Sequence, residues 1–266
     1  MRTMKNIAKT LLTAAAVVTM AGQAWAAGEC AGMKVRVGTE GAYPPFNSID
    51  ENGNLVGFDI DISNALCDEA GMTCSFVTQD WDGIIPGLQA KKYDAIIASM
   101  SITPKREEVV DFTNKYYNTP AKFVAAEGAG FDVSPEGLAG KVVGVQRATI
   151  HEDFLRGEFP EVEVRNYATQ DEANADLVSG RVDLIMADSV ALLDGFLNTP
   201  EGEGFEFVGP DYSNPKYHGT GAGIAVRDGE DKLRGCLNEA IAAIRKNGVY
   251  AQINKEYFDF DVYGAE

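Results

Sequence analysis

Apolar positions along this chain come in short blocks divided by glycine, proline and charged residues, and the blocks switch between two periods. Met33–Gly38 (MKVRVG) is predicted as a first strand. In Gly57–Ala70 (GFDIDISNALCDEA), Phe58, Ile62, Ala65, Leu66 and Glu69 recur at helical spacing, with Glu69 the polar exception. Gly71 stands where that helix should end. Thr73–Val77 follows as a strand, Trp81–Ala90 as a short helix and Asp94–Ala98 (DAIIA) as a buried strand. Thr103 and Pro104 mark the cap and first position of a short helix carrying Lys105, Arg106, Glu107 and Glu108.

Past Tyr116–Pro120 the alternation restarts. Ala121–Ala126 is extended, Lys141–Val145 a strand, Ile150–Arg156 a helix and Glu163–Tyr167 a strand. Gln170–Ser179 is a helix stopped at Gly180, Val182–Ala187 a strand and Ser189–Leu197 a helix. Phe205–Val208 is extended, Gly209–Gly223 is rich in glycine and proline, and Ile224–Arg227 is a short strand. Asp231–Asn247 puts Leu233, Leu237, Ala240, Ile241 and Ile244 on one helical face, and Gly248 stops it. This order predicts an α/β protein with mostly parallel sheets. Lys92–Ala98 and Arg181–Ala187 share one pattern, a basic residue, an Asp and a buried strand, which suggests two similar halves. Ligand sites in open α/β sheets lie at the carboxyl ends of strands, so Ser99, Ser101, Asp188 and Ser189 are candidates by position.

Composition narrows the function. The 266 residues hold 23 Lys and Arg against 40 Asp and Glu, a formal charge of −17. So acidic a body repels phosphate backbones and excludes a nucleic-acid partner. The only charges in the first 26 residues are Arg2, Lys5 and Lys9, ahead of the apolar run Leu11–Met20 and the motif Ala24-Trp25-Ala26. This is the pattern of a secretory signal peptide over residues 1–26, cleaved after Ala26. An apolar run of about ten residues is too short to span a bilayer. Four cysteines follow, an even number in an exported chain. Cys67 and Cys74 flank a helix end turning into a strand and can bridge. Cys30 and Cys236 remain as a second pair or as two buried thiols. Two histidines and no C-x-x-C argue against a metal centre.

An exported receptor for a zwitterionic amino acid needs an Arg and helix N-terminal N–H groups for the α-carboxylate, and an acid for the α-ammonium. A cationic tail needs a second acid and aromatic walls. The loops after the predicted strands offer these types: Arg106, Thr149 and Ile150, Asp188, Glu40, Tyr43 and Trp81.

Gly57-Phe58-Asp59-Ile60-Asp61-Ile62 with Leu66-Cys67 resembles the signature of the family 3 extracellular solute-binding proteins, periplasmic amino-acid receptors of ABC importers. The resemblance extends through Tyr43-Pro44-Pro45-Phe46, Lys91–Ile97, Ser99–Thr103, Lys105-Arg106, Gly144-Val145-Gln146 and Tyr257–Gly264. It is nearest to lysine/arginine/ornithine-, histidine- and opine-binding receptors. It implies a type II periplasmic binding protein fold, with two lobes joined by crossings near Tyr117–Ala121 and Tyr212–Gly221. One lobe would comprise residues 27–118 and 220–266, the other 119–219.

Carried over by position, Arg106 clamps the carboxylate with Ser101 and the N–H groups of Thr149 and Ile150. Asp188, with the Ser99 carbonyl, takes the ammonium, Tyr43 and Trp81 sandwich the tail, and Glu40 meets its charge. The resemblance also implies the Cys67–Cys74 bridge. The chain departs from the lysine/arginine/ornithine receptor in Glu40 for Asp, Trp81 for Phe, Ala98 for Ser, Gln146 for Leu, and Arg147-Ala148 before Thr149. Ala98 and Gln146 count as site residues because they could provide space and a polar partner for an opine or other N-substituted basic amino acid. The expected ligand is therefore arginine, ornithine or lysine, with an opine such as octopine or nopaline, or histidine, as alternatives. A lyase like cyclohexadienyl dehydratase and a receptor that presents ligand to a chemoreceptor are the remaining readings. The expected partners are an amino acid or derivative and a membrane ABC permease, for a periplasmic monomer without cofactor. His151 and His218 are expected at the surface or the hinge, and Asp59 and Asp61 in the helix away from the site.

Overall fold

The computed structural model describes residues 29–264. The signal segment 1–26 lies outside the described residues. The chain runs β1 (Lys34–Thr39), a small antiparallel meander of β2 (Ala42–Tyr43), β3 (Asn47–Ile49) and β4 (Leu55–Val56), then α1 (Phe58–Glu69) and β5 (Thr73–Thr78). A 3-10 turn at Trp81–Gly83 leads into α2 (Ile84–Gln89), followed by β6 (Ala95–Ile96), α3 (Pro104–Glu107) and β7 (Asp111–Tyr117). The second half continues with β8 (Ala121–Ala126), β9 (Val142–Gln146), α4 (Ile150–Glu158), β10 (Glu163–Tyr167), α5 (Gln170–Val178), β11 (Leu184–Asp188), α6 (Ser189–Leu192) and β12 (Phe205–Tyr212). The chain then returns through α7 (Pro215–His218) to β13 (Ala222–Val226), α8 (Asp231–Asn247) and α9 (Val249–Tyr257).

Two five-stranded sheets result, ordered β5-β1-β6-β13-β7 and β10-β9-β11-β8-β12. The expectation of mostly parallel sheets is corrected. Each sheet has two parallel pairings on one side and two antiparallel pairings on the other. The physical reason is the path of the chain. It leaves one sheet at β7 for β8 and comes back from β12 to β13, so β8 and β13, the strands that enter each sheet from a crossing, run against the other four.

Helix ends follow local chemistry. Thr103, Thr149 and Thr169 accept a backbone N–H three residues on as N-caps, worth about 1 kcal/mol each. Gly57, at φ +122°, precedes α1 because a Cβ there would lie 2.4 Å from the Phe46 carbonyl oxygen. That tight approach seats Phe58, fully buried, among Phe46, Tyr116, Tyr250 and Phe258. A ring so buried contributes about 2–3 kcal/mol. Besides the short strands β2, β3 and β4 and the single turn of α7, two longer segments escape the sequence pattern. β7 was not predicted, and α9 follows α8 after a single left-handed residue, Gly248. Both cysteine pairs are joined, Cys67 to Cys74 and Cys30 to Cys236, the latter tying the segment before β1 to α8.

Candidate ligand-binding cleft

A cavity opens between the two sheets, where their strands' carboxyl ends face each other. Its lining includes eleven residues singled out from the sequence, Glu40, Tyr43, Trp81, Ala98, Ser99, Ser101, Arg106, Gln146, Thr149, Ile150 and Asp188, but not Ser189, which opens α6. The crossing segments add Tyr117, Asn118, Thr119, Ala121, Gly221 and Ala222, which the sequence reading did not nominate, and His151 and His218 complete the wall.

At one end sits Arg106, 9% exposed on a single turn of helix capped by Thr103. One Nη donates to the Ser101 carbonyl at 3.0 Å, and the guanidinium lies 5.3 Å from the Trp81 ring centroid. Among the described residues no carboxylate pairs with it. Burial accordingly pushes its pKa down to about 10. Beside it, Thr149 caps α4, whose first N–H groups have no intrahelical acceptor and carry the positive end of the helix dipole. A buried cation and a helix N-terminus together form a receptor for a carboxylate.

Acids lie on the remaining walls. Asp188 ends β11 and caps α6, accepting from the N–H groups of Val190 at 2.8 Å and Ala191 at 3.4 Å, and from the Thr119 hydroxyl. Burial nevertheless raises its pKa to about 6. Glu40 follows β1 and accepts from the Gln146 amide, and among the described residues no cation pairs with it. Burial, with Asp80, Asp171 and Asp82 nearby, pushes its pKa up to about 7.

Asp59 lies behind the cavity wall and was expected to belong only to its helix. Its carboxylate accepts from Asn47 at 2.8 Å, Tyr116 at 2.7 Å and the Ser99 hydroxyl at 3.0 Å. Ser99 itself is held at φ +56°, a left-handed conformation rare for serine. Asp59 is thus the anchor of a wall residue. The signal was present in the Gly57–Ile62 motif, but a first-turn Asp reads more simply as a dipole-stabilising residue.

The cleft is closed by contacts between the halves. Trp81 Nε1 donates to the Ala148 carbonyl at 3.1 Å, and the Asp188 N–H donates to the Tyr43 hydroxyl at 3.2 Å. Arg147 pairs with Asp82 at 2.6 Å and Lys105 with Asp153 at 2.7 Å, both at the exposed rim.

The expectation for the histidines is corrected in part. His218 does lie in the second crossing, but both rings are buried, 6.2 Å apart, because α4 packs on α7 through Phe154 and Tyr217. Burial lowers both imidazole pKa values, and Arg106 pushes that of His151 down further, so both rings are neutral. Among the described residues no three His, Cys, Asp or Glu side chains gather as a metal site, and no helix is long and apolar enough to cross a membrane.

Comparison with known proteins gives one answer. Residues 35–260 match the model of the bacterial extracellular solute-binding proteins, family 3. The chain is 52% identical over 233 residues to an L-arginine-binding protein of Pseudomonas aeruginosa, covering 87% of this chain and 90% of the relative. It is 40% identical over 232 residues to the lysine/arginine/ornithine-binding periplasmic protein of Escherichia coli, covering 86% and 89%. Among solved structures, a Salmonella typhimurium periplasmic binding protein described for its high arginine specificity superposes with a TM-score of 0.79 at 34% identity, covering 85% of this chain and 100% of that one.

Proposed function

The chain belongs to the family 3 bacterial extracellular solute-binding proteins, and on that premise we propose that it captures a basic amino acid, arginine foremost, in the interlobe cleft. The charge of the cleft carries this reading. Buried in it are one cation, Arg106, and two acids, Asp188 and Glu40, none of which has an opposite charge of its own among the described residues. Asp59 is excluded from this count because it lies behind the wall, outside the cavity lining, and is spent on Asn47, Tyr116 and Ser99. The complement of one cation and two acids is a carboxylate, an ammonium and a second cation. Arginine, lysine and ornithine carry that set.

In the proposed pose the α-carboxylate lies on Arg106 and the N-terminus of α4, with Ser101 beside it. The ammonium meets Asp188 and the Ser99 carbonyl. The tail runs between Tyr43 and Trp81, past Ala98, to Glu40 and Gln146. Ligand contacts on both lobes favour the closed state over the open one, a population shift in a hinge that crosses twice. The lobes are taken as residues 27–118 with 220–266, and 119–219. The signal peptide is removed after Ala26, and the periplasmic monomer hands its cargo to a membrane ABC permease. Binding is proposed without catalysis, since every ionisable group assigned to the pose is used as an anchor.

The test is a thermal-shift screen of the mature protein against arginine, lysine, ornithine, histidine, octopine and nopaline, with turnover of arogenate and prephenate assayed alongside. A ligand at 100 times its dissociation constant stabilises by about 2.7 kcal/mol, an easily read rise in midpoint. Arginine, lysine or ornithine should give it, and no turnover should be seen. A shift with an opine or histidine alone would overturn the ligand assignment, and turnover would overturn the binding-only reading.

A further inference from the structure

Glu40 is an unusual acid to set opposite a permanent cation. Its hydrogen-bond donor is the neutral amide of Gln146, which also donates to the Ala168 carbonyl at 3.1 Å and so is held in place. The charged groups around it are acids. Asp80 and Asp82 flank the Trp81 turn, and Asp171 lies on the first turn of α5. Arg147, the nearby cation, is engaged by Asp82. Tyr43 on β2 keeps its proton, since burial and the neighbouring acids push its pKa well up.

We propose that Glu40 sets which tail charge the cleft accepts: it meets a guanidinium as a carboxylate and a neutral urea or amide tail as a carboxylic acid, so that citrulline, the uncharged isostere of arginine, enters together with one proton. The inference rests on the orientation proposed above, with the tail at Glu40. Geometry and charge both support it. A neutral tail would leave Glu40 as an unpaired charge in a closed, acidic cavity, the costliest state available to it. Taking a proton from solvent removes that charge. It also makes the group a donor and an acceptor at once, matching the carbonyl and N–H of a urea. The acid is poised for this, since burial beside Asp80, Asp171 and Asp82 holds its pKa up at about 7.

The two ligands should therefore show opposite pH profiles. Arginine needs the ionised acid and weakens below about pH 7, up to about tenfold per unit, whereas citrulline needs the protonated acid and weakens above it by the same factor. Asp188 and Arg106 meet the same α-groups in either ligand, and the histidines face the same cleft in both, so their titrations cancel in the ratio of dissociation constants. That ratio, citrulline over arginine, should rise by about 100-fold from pH 6 to pH 8. Calorimetry of the wild-type protein in buffers of different ionisation enthalpy reads it directly, and should also find about one proton taken up per citrulline at pH 8. In Glu40→Gln the ratio should become flat with pH, and Glu40→Asp should restore the slope. A flat wild-type ratio with arginine still binding, citrulline binding without proton uptake, or a slope that survives Glu40→Gln would overturn the role of Glu40 while leaving the arginine reading intact. Failure of arginine to bind at any pH would overturn both.

Discussion

Replacing Arg106 with methionine separates a ligand clamp from a structural residue, because the two roles predict opposite effects on the empty protein. Methionine keeps an unbranched stem against Trp81 and removes the charge. Buried without a carboxylate paired to it among the described residues, that charge is a liability. Burial displaces the guanidinium pKa from 12.5 to about 10, which corresponds to roughly 3 kcal/mol of disfavoured ionisation. The hydrogen bond to Ser101 and the Trp81 face return part of this, about 1–2 kcal/mol. Arg106→Met should thus leave the unliganded protein as stable as wild type or more stable by up to about 2 kcal/mol, read by urea titration. Ligand binding should suffer heavily. A buried carboxylate robbed of its partner costs about 2–5 kcal/mol, so the dissociation constant for arginine should rise by about 30-fold to several thousandfold in calorimetry. A variant that loses more than about 2 kcal/mol of stability yet binds arginine within tenfold of wild type would refute the reasoning.

Trp81→Phe keeps an aromatic wall but loses the hydrogen bond to Ala148 across the cleft; arginine should bind about 3- to 10-fold more weakly, with the loss mostly in off-rate by stopped-flow. Burial raises the carboxyl pKa values of Glu40, Asp59 and Asp188 to about 7, 6 and 6, so the folded state binds protons before the unfolded chain does. Unliganded stability should therefore rise as the pH falls from 8 to about 6.5, above the range where the unfolded chain but not the buried His151 and His218 takes up protons, while the rise in melting temperature given by arginine shrinks over the same interval; scanning calorimetry with and without arginine checks both signs, and an unliganded midpoint that falls over this interval would contradict them. The Cys30–Cys236 bridge spans 206 residues and Cys67–Cys74 only 7, so paired serine replacements should cost about 5 and about 2 kcal/mol respectively in denaturant titration.

Much of the cleft was legible because its residues sit at strand ends, where sequence pattern and chemistry coincide. Thr103-Pro104 announces the start of the turn that holds Arg106, and the run Leu184–Ala187 marks the buried strand that ends in Asp188. What stayed hidden depends on long-range pairing. β7 reads DFTNKYY, a polar and irregular string whose burial pattern is broken by two register shifts against β13, over 100 residues away. No local period could reveal it. α9 was missed because Gly248, read as a stop, turns the chain through one left-handed residue straight into another helix. The mixed sheets follow from chain crossings that element alternation does not encode. His151 and His218 become neighbours only when α4 meets α7, so their burial could not be read from either segment alone.

The central claim is that Arg106 and Asp188 hold the two α-groups of a basic amino acid while Glu40 holds its tail. A crystal structure of the mature protein grown with L-arginine tests this most directly. It should place the α-carboxylate against the Arg106 guanidinium at about 2.8 Å, the ammonium on Asp188 and the ligand guanidinium on Glu40. An arginine lying the other way round, or Arg106 and Asp188 turned out of the cleft with ligand bound elsewhere, would contradict it.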